Sequence, residues 1–177
     1  MEASVPAPRG DERLRGFGRW GLRLFDASRA LALAGGAIFV LLVGMSVVSI
    51  VGRKLFSAPV PGDVEVLQMS AAFACACFFA YCHLIGGDVK VDFFTAKLPE
   101  AAVRGLDAAG SLLYAIVGGA LAWRTLASAL AVRSAQETSV ILGWPVWIAQ
   151  ALMVPGFFLM TCAGLYMAWR HLRLAHR

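Results

Sequence analysis

GRKLFSAPVPGDVEVLQMSAAFACACFFAYCHLIGGDVKVDFFTAKLP, residues 52–99, is an apolar run with a charged border, broken by Pro and Gly, at each end. Its centre, Val66–Gly87, has 22 residues without an Asp, Glu, Lys or Arg. A helix of that length reaches about 33 Å, enough to cross a hydrocarbon core of about 30 Å. Arg53, Lys54, two prolines, Asp63 and Glu65 stand before it; Asp88, Lys90, Asp92 and Lys97 follow its closing Gly86-Gly87 pair. A soluble fold has no need of this arrangement. A membrane helix between short polar hairpins does, and the rest of the chain repeats the pattern.

The bulk composition agrees. The chain has 177 residues, 59% hydrophobic and 15% charged, with mean hydropathy +0.71. Soluble domains carry about 25% charged residues, so the deficit places the chain in the membrane class. The net charge of +5 comes from 16 Lys and Arg against 11 Asp and Glu. These cations sit at the ends of apolar runs and form no single patch, which reads as membrane orientation and not as nucleic-acid binding. Cys75, Cys77 and Cys82 lie in the second apolar run and Cys162 in the last. They read as small apolar groups, and none sits in a loop where a disulfide framework would form. Cys75, Cys77, Cys82 and His83 lack the spacing of a zinc knuckle, and thiolates at membrane depth are costly. No cofactor or metal is expected.

The expected fold is all-α: a membrane domain over residues 30–169 between basic tails at 1–29 and 170–177. Arg9, Arg13, Arg15, Arg19, Arg23 and Arg29 make the first tail basic. Its length ahead of any apolar core argues against a cleaved secretory signal and for an uncleaved anchor. Leu14, Phe17, Trp20, Leu24 and Phe25 recur at near-helical spacing, which predicts an amphipathic interfacial helix over 13–29 with Trp20 at headgroup depth. For residues 1–12 a disordered basic tail is an equal reading. The first span is Ala30–Val51, with Gly35, Gly36 and Gly44 as smooth patches. The second is 66–87, where Ala72, Ala76 and Ala80 recur every four residues as a small-residue packing stripe. In the long loop 87–107 Pro99 is expected to open a helix with Glu100 in its first turn; the third span follows at about 106–124, bounded by Asp107 and Arg124, with Ala115 and Gly119 as a further small pair. Trp144, Pro145 and Trp147 anchor the start of the fourth span, about 145–168, which Pro155 should bend.

Four spans put both termini on one side. With the termini inside, the inside segments hold 12 Lys and Arg and the outside hairpins four: Arg53, Lys54, Arg124 and Arg133. That distribution votes for both termini cytoplasmic.

Several chemistries have no footing. There is no Gly-rich phosphate loop and no paired carboxylate within a span. Haem between helices asks for two intramembrane histidines, and the spans offer His83 alone. A proton-coupled carrier asks for a carboxylate at mid-membrane, whereas Glu65 and Asp107 sit at span ends. The chain is therefore expected not to be an enzyme, and to serve a partner.

Four runs then carry a resemblance: Val51-Gly52-Arg53-Lys54-Leu55-Phe56, Gly62-Asp63-Val64-Glu65-Val66, Gly86-Gly87-Asp88-Val89-Lys90-Val91-Asp92 and Leu142-Gly143-Trp144-Pro145-Val146-Trp147. In this order and spacing, over roughly residues 30–168, the chain resembles the small membrane subunit (Q, DctQ-type) of tripartite ATP-independent periplasmic (TRAP) transporters. It departs from that family at Asp88-Val89, where His-Ile often follows the glycine pair. The resemblance implies a bacterial inner-membrane protein with two partners. One is a large, roughly dozen-span M subunit (DctM-type) that carries the substrate and sodium sites. The other is a periplasmic binding protein (P, DctP-type) that delivers an organic acid. Import is then driven by sodium, and the small subunit scaffolds the stationary part of the large one.

Within that role Arg53, with Lys54, is expected to pair with a carboxylate at the outer border, either Glu65 or one on the partner subunit; solvated interfacial charge is the plain alternative. Asp92 is expected to make a contact at the cytoplasmic border, to cap the following helix, or to stay solvated. Membrane lipids are the remaining partner. Two competing functions stand beside the transport subunit: a self-sufficient four-helix exporter, and the membrane anchor of a redox complex.

Overall fold

The computed structural model describes residues 17–57, 60–88 and 99–175. These form four helices: α1 (Arg19–Phe56), α2 (Asp63–Leu84), α3 (Glu100–Ser134) and α4 (Val146–Ala175). All four are long and apolar enough to cross a membrane. Among the described residues no strand forms; an isolated antiparallel bridge joins Thr138 to Pro145. Asp92, the loop lysines around it and the first sixteen residues lie outside the described residues.

The helices are longer than the uncharged runs inside them. α1 has 38 residues, about 57 Å at the α-helical rise. Residues 19–29 are not a separate helix, because no proline falls between Arg19 and Phe56 and the turns continue straight into the span. Phe17, Leu24 and Phe25, expected on a lipid surface, pack instead against a cluster of Ala80, Leu84, Ala163 and Met167. Trp20 points away and is 79% exposed. At the other end Ser57 takes a left-handed conformation, and Arg53 and Lys54 occupy the last turn, where cations complement the helix dipole.

α2 begins three residues before its apolar run. Asp63 and Glu65 fall in its first turn, where the dipole favours carboxylates. It stops at Leu84 and not at Gly87, because Gly86 adopts φ 65° and Gly87 N–H returns to the Cys82 carbonyl at 2.8 Å. α3 follows Pro99 directly and runs 35 residues, so Arg104, Asp107 and Arg124 lie within the helix and do not bound it. α4 starts after Pro145, continues through Pro155 and ends at Ala175.

The helices stand in the spatial order α1, α2, α4, α3. α3 and α4 share the widest interface, α2 packs on both α4 and α1, and α1 meets α4 only briefly. α1 and α3 have no comparable contact, so the four form an open row and not the closed square of a bundle. The brief α1–α4 contact lies between the start of α1 and the C-terminal half of α4: just ahead of α1 the Phe17 ring meets Tyr166 edge to face at 5.3 Å, and the Arg170 guanidinium lies 4.8 Å over Phe17.

Each interface closes on small residues. A β-carbon on Gly35 of α1 would stand 2.9 Å from Cys77 Cβ and 3.0 Å from the Ala74 carbonyl. On Gly156 of α4 it would stand 2.7 Å from the Ala76 carbonyl, and on Gly164 2.8 Å from the Ala115 nitrogen. These approaches let backbones touch, which matters in lipid because association rests on packing and not on water exclusion.

Candidate functional site

The polar side chains gather at the two ends of the row. At the hairpin end, Ser49 and Arg53 are one turn apart on α1 and face the start of α2. Ser49 Oγ donates to Asp63 Oδ2, and Arg53 Nη2 lies 3.4 Å from the same oxygen. Asp63 Oδ1 caps its own helix by accepting from Val64 N–H at 2.8 Å. The Arg53 side chain is 61% exposed, so its ion pair is weak beside the Ser49 hydrogen bond. Lys54, the next residue, is exposed.

Glu65, the intrachain partner offered for Arg53, faces elsewhere. Two residues after Asp63 it points roughly 200° round the helix, toward the turn between α3 and α4. There it accepts three hydrogen bonds: from Ser139 Oγ at 2.7 Å, Ile141 N–H at 2.9 Å and Leu142 N–H at 3.1 Å. The turn is also closed on itself, by Ser139 N–H to the Trp144 carbonyl at 2.8 Å and Gly143 N–H to the Ser139 carbonyl at 3.1 Å. Its tip, Val140, is 95% exposed. Gly62 sits beneath, at φ 74°, with no room for a side chain against Leu142.

The indoles flank these ends. Trp144 and Pro145 are exposed, and Trp147 is half-buried with the Arg133 guanidinium 5.1 Å over its ring. At the opposite end Arg23 lies 5.7 Å over Trp20. Aromatic rings at both ends of spanning helices suit the headgroup level.

The second cluster was not assembled from the sequence. His83, in the last turn of α2, is only 7% exposed. Its Nδ1 lies 2.5 Å from Asp88 Oδ2, and its ring stacks on Tyr114 of α3 at 4.2 Å and 12°. The carboxylate accepts, so Nδ1 carries the proton. Tyr114 in turn donates its hydroxyl to the Phe79 carbonyl of α2 at 2.9 Å. Asp88 is thus the residue that orients His83. The available signal was the separation of five residues across Gly86-Gly87, a pair able to turn the chain back on itself.

Among the packing residues, Ala76 and Ala80 are buried, Ala72 is half-buried, and Ala74 and Cys77 on the adjoining face are buried as well. Ala76 meets α4 at Gly156, while Ala74 and Cys77 meet α1 at Gly35. In α3 a β-carbon at Gly119 would stand 3.7 Å from Thr161; its neighbour Gly118 makes the tighter approach, 3.0 Å from Thr161 Oγ1.

Chemically, this arrangement holds and orients. Asp63 and Glu65 are engaged by this chain's own hydroxyls and amides at a helix end, and the middle of α2 is uncharged. A family model described as "Tripartite ATP-independent periplasmic transporters, DctQ component" matches residues 42–174. Comparison with curated proteins and with solved structures found no match.

Proposed function

The chain belongs to the DctQ component family of the tripartite ATP-independent periplasmic transporters, and from that premise we propose that it is the small inner-membrane subunit of a sodium-driven organic-acid importer, bracing the large subunit that carries the solute. The observation that supports this most is the open row. Four helices tied at their ends leave broad apolar flanks, with Val40 and Val48 of α1 and Leu113 and Ile116 of α3 exposed. Such flanks suit contact with a neighbouring helix bundle and with lipid.

In this reading the termini are cytoplasmic and both hairpins periplasmic, as the charge distribution favours. The Asp63 and Glu65 contacts stiffen the periplasmic end, Trp144 and Trp147 hold it at fixed depth, and Arg53 with Lys54 stands at the border available to a carboxylate of the large subunit. Solute and sodium are handled by the DctM-type subunit after delivery by a DctP-type binding protein. Co-purification tests this: a tag on this chain should retain the large subunit in equal amount in mild detergent. Recovery of the chain alone, with the large subunit intact in the same membranes, contradicts it.

A further inference from the structure

Between α1 and α4, with α2 as its floor, runs a slot of about 550 Å³. It extends from Ile38 to Met45 on α1, from Val66 to Phe73 on α2 and from Trp144 to Leu152 on α4. Seven residues of helix rise about 10 Å, so the slot lies along the helices and has about that length. The Ser70 hydroxyl and the Trp144 indole are the polar side-chain groups in an otherwise apolar wall. Val66 is the first residue of the uncharged run of α2, so the slot begins at the headgroup boundary and descends into the hydrocarbon. Over its length the slot has a cross-section of about 55 Å², below the roughly 80 Å² of a helix about 10 Å wide, so a neighbouring helix does not enter it. Above it stands a cation. Leu42, Met45, Ser49 and Arg53 follow one another at intervals of three or four residues along α1, so Arg53 continues the lining stripe about 12 Å beyond Met45. Its guanidinium has five N–H donors; one points to Asp63 at 3.4 Å, and the side chain is 61% exposed.

We propose that the slot holds one acyl chain of a phospholipid whose phosphate is bound by Arg53. An apolar slot with a cation above its upper end matches an amphiphile of that shape, hydrocarbon below and anionic group above. The guanidinium fork takes phosphate oxygens well, and its remaining donors face outward from the Asp63 contact. Trp144, 56% exposed at the upper end of the slot, offers its indole N–H at the depth of the ester groups. The walls belong to three helices of this chain, so the site is complete without the large subunit and is tested without it.

The full chain, purified in mild detergent and stripped of lipid, is offered an equimolar mixture of phosphatidylcholine and diacylglycerol with identical acyl chains, and bound lipid is read by native mass spectrometry. Phosphatidylcholine has no net charge to draw it to the other arginines, and diacylglycerol lacks the phosphate. One phosphatidylcholine per chain is expected, retained about tenfold over diacylglycerol, the ratio that one charge-assisted hydrogen bond supplies. Arg53→Gln should bring the two lipids to equal retention. Ala149→Phe, which puts a ring into the slot, should abolish retention of both. Should Ala149→Phe fail to fold, the unaltered chain and Arg53→Gln, altered only at an exposed side chain, decide between them. Absence of a stoichiometric lipid, equal retention of the two lipids by the unaltered chain, an undiminished preference in Arg53→Gln, or full retention by folded Ala149→Phe overturns the inference.

Discussion

Glu65 accepts from three donors of the α3–α4 turn, two of them backbone amides. Glu65→Gln keeps the side chain's size but replaces one acceptor oxygen by a donor. Hydrogen exchange at Ile141 and Leu142 should then quicken while the α3–α4 crossing at Gly118 stays protected. Unchanged exchange at both amides means the carboxylate does not hold the turn. At the neighbouring carboxylate, Asp63→Ala should lower the melting temperature in detergent more than Arg53→Ala does, because Asp63 also serves Ser49 whereas Arg53 is largely solvated. The reverse order places the ion pair above the hydroxyl. Tyr114→Phe removes one interhelical hydrogen bond and should cost about 0.6 kcal/mol of unfolding free energy, the usual size between membrane helices. At this scale the sequence marked the polar residues at the ends of the apolar runs but not whom they meet. Glu65 read as the intrachain candidate for Arg53, and helix phase gives that place to Asp63 instead. His83 and Asp88 read as unrelated, because their meeting depends on the φ of Gly86.

Helices in lipid are held where backbones approach, so the glycines at crossings should dominate stability. Gly156→Ala drives a methyl group into the Ala76 carbonyl and should cost about 1–3 kcal/mol in denaturant unfolding in detergent, the usual penalty of overpacking. Gly44→Ala, with open space around it, should be neutral or slightly stabilising by the same measurement. Equal effects at the two positions contradict the assigned crossing. The existence of each helix was legible from apolar length. Its ends were not, because counting uncharged residues stops at Asp63, Asp107 and Arg124, all of which a helix accommodates. Phe17, Leu24 and Phe25, read as a lipid-facing set, meet α2 and α4 instead, because periodicity alone does not say what a face touches.

The four helices form an open row in which Phe17, just ahead of α1, meets Tyr166 of α4. Four spans and their alternation followed from the sequence; the order α1, α2, α4, α3 did not, since it depends on which small residues find each other across space. Sidedness is tested by single cysteines in a cysteine-free background. Val140→Cys should react with a membrane-impermeant maleimide in intact cells, and Arg173→Cys only after permeabilisation; the opposite pattern inverts the topology. The most direct measurement of the central claim is sodium-driven uptake of labelled organic acids into proteoliposomes, with this chain alone and with its large subunit and binding protein. The account predicts no uptake by the chain alone, uptake by the complete set, and loss of that uptake when this chain is left out. Solute movement by the chain alone, or undiminished uptake without it, contradicts the account.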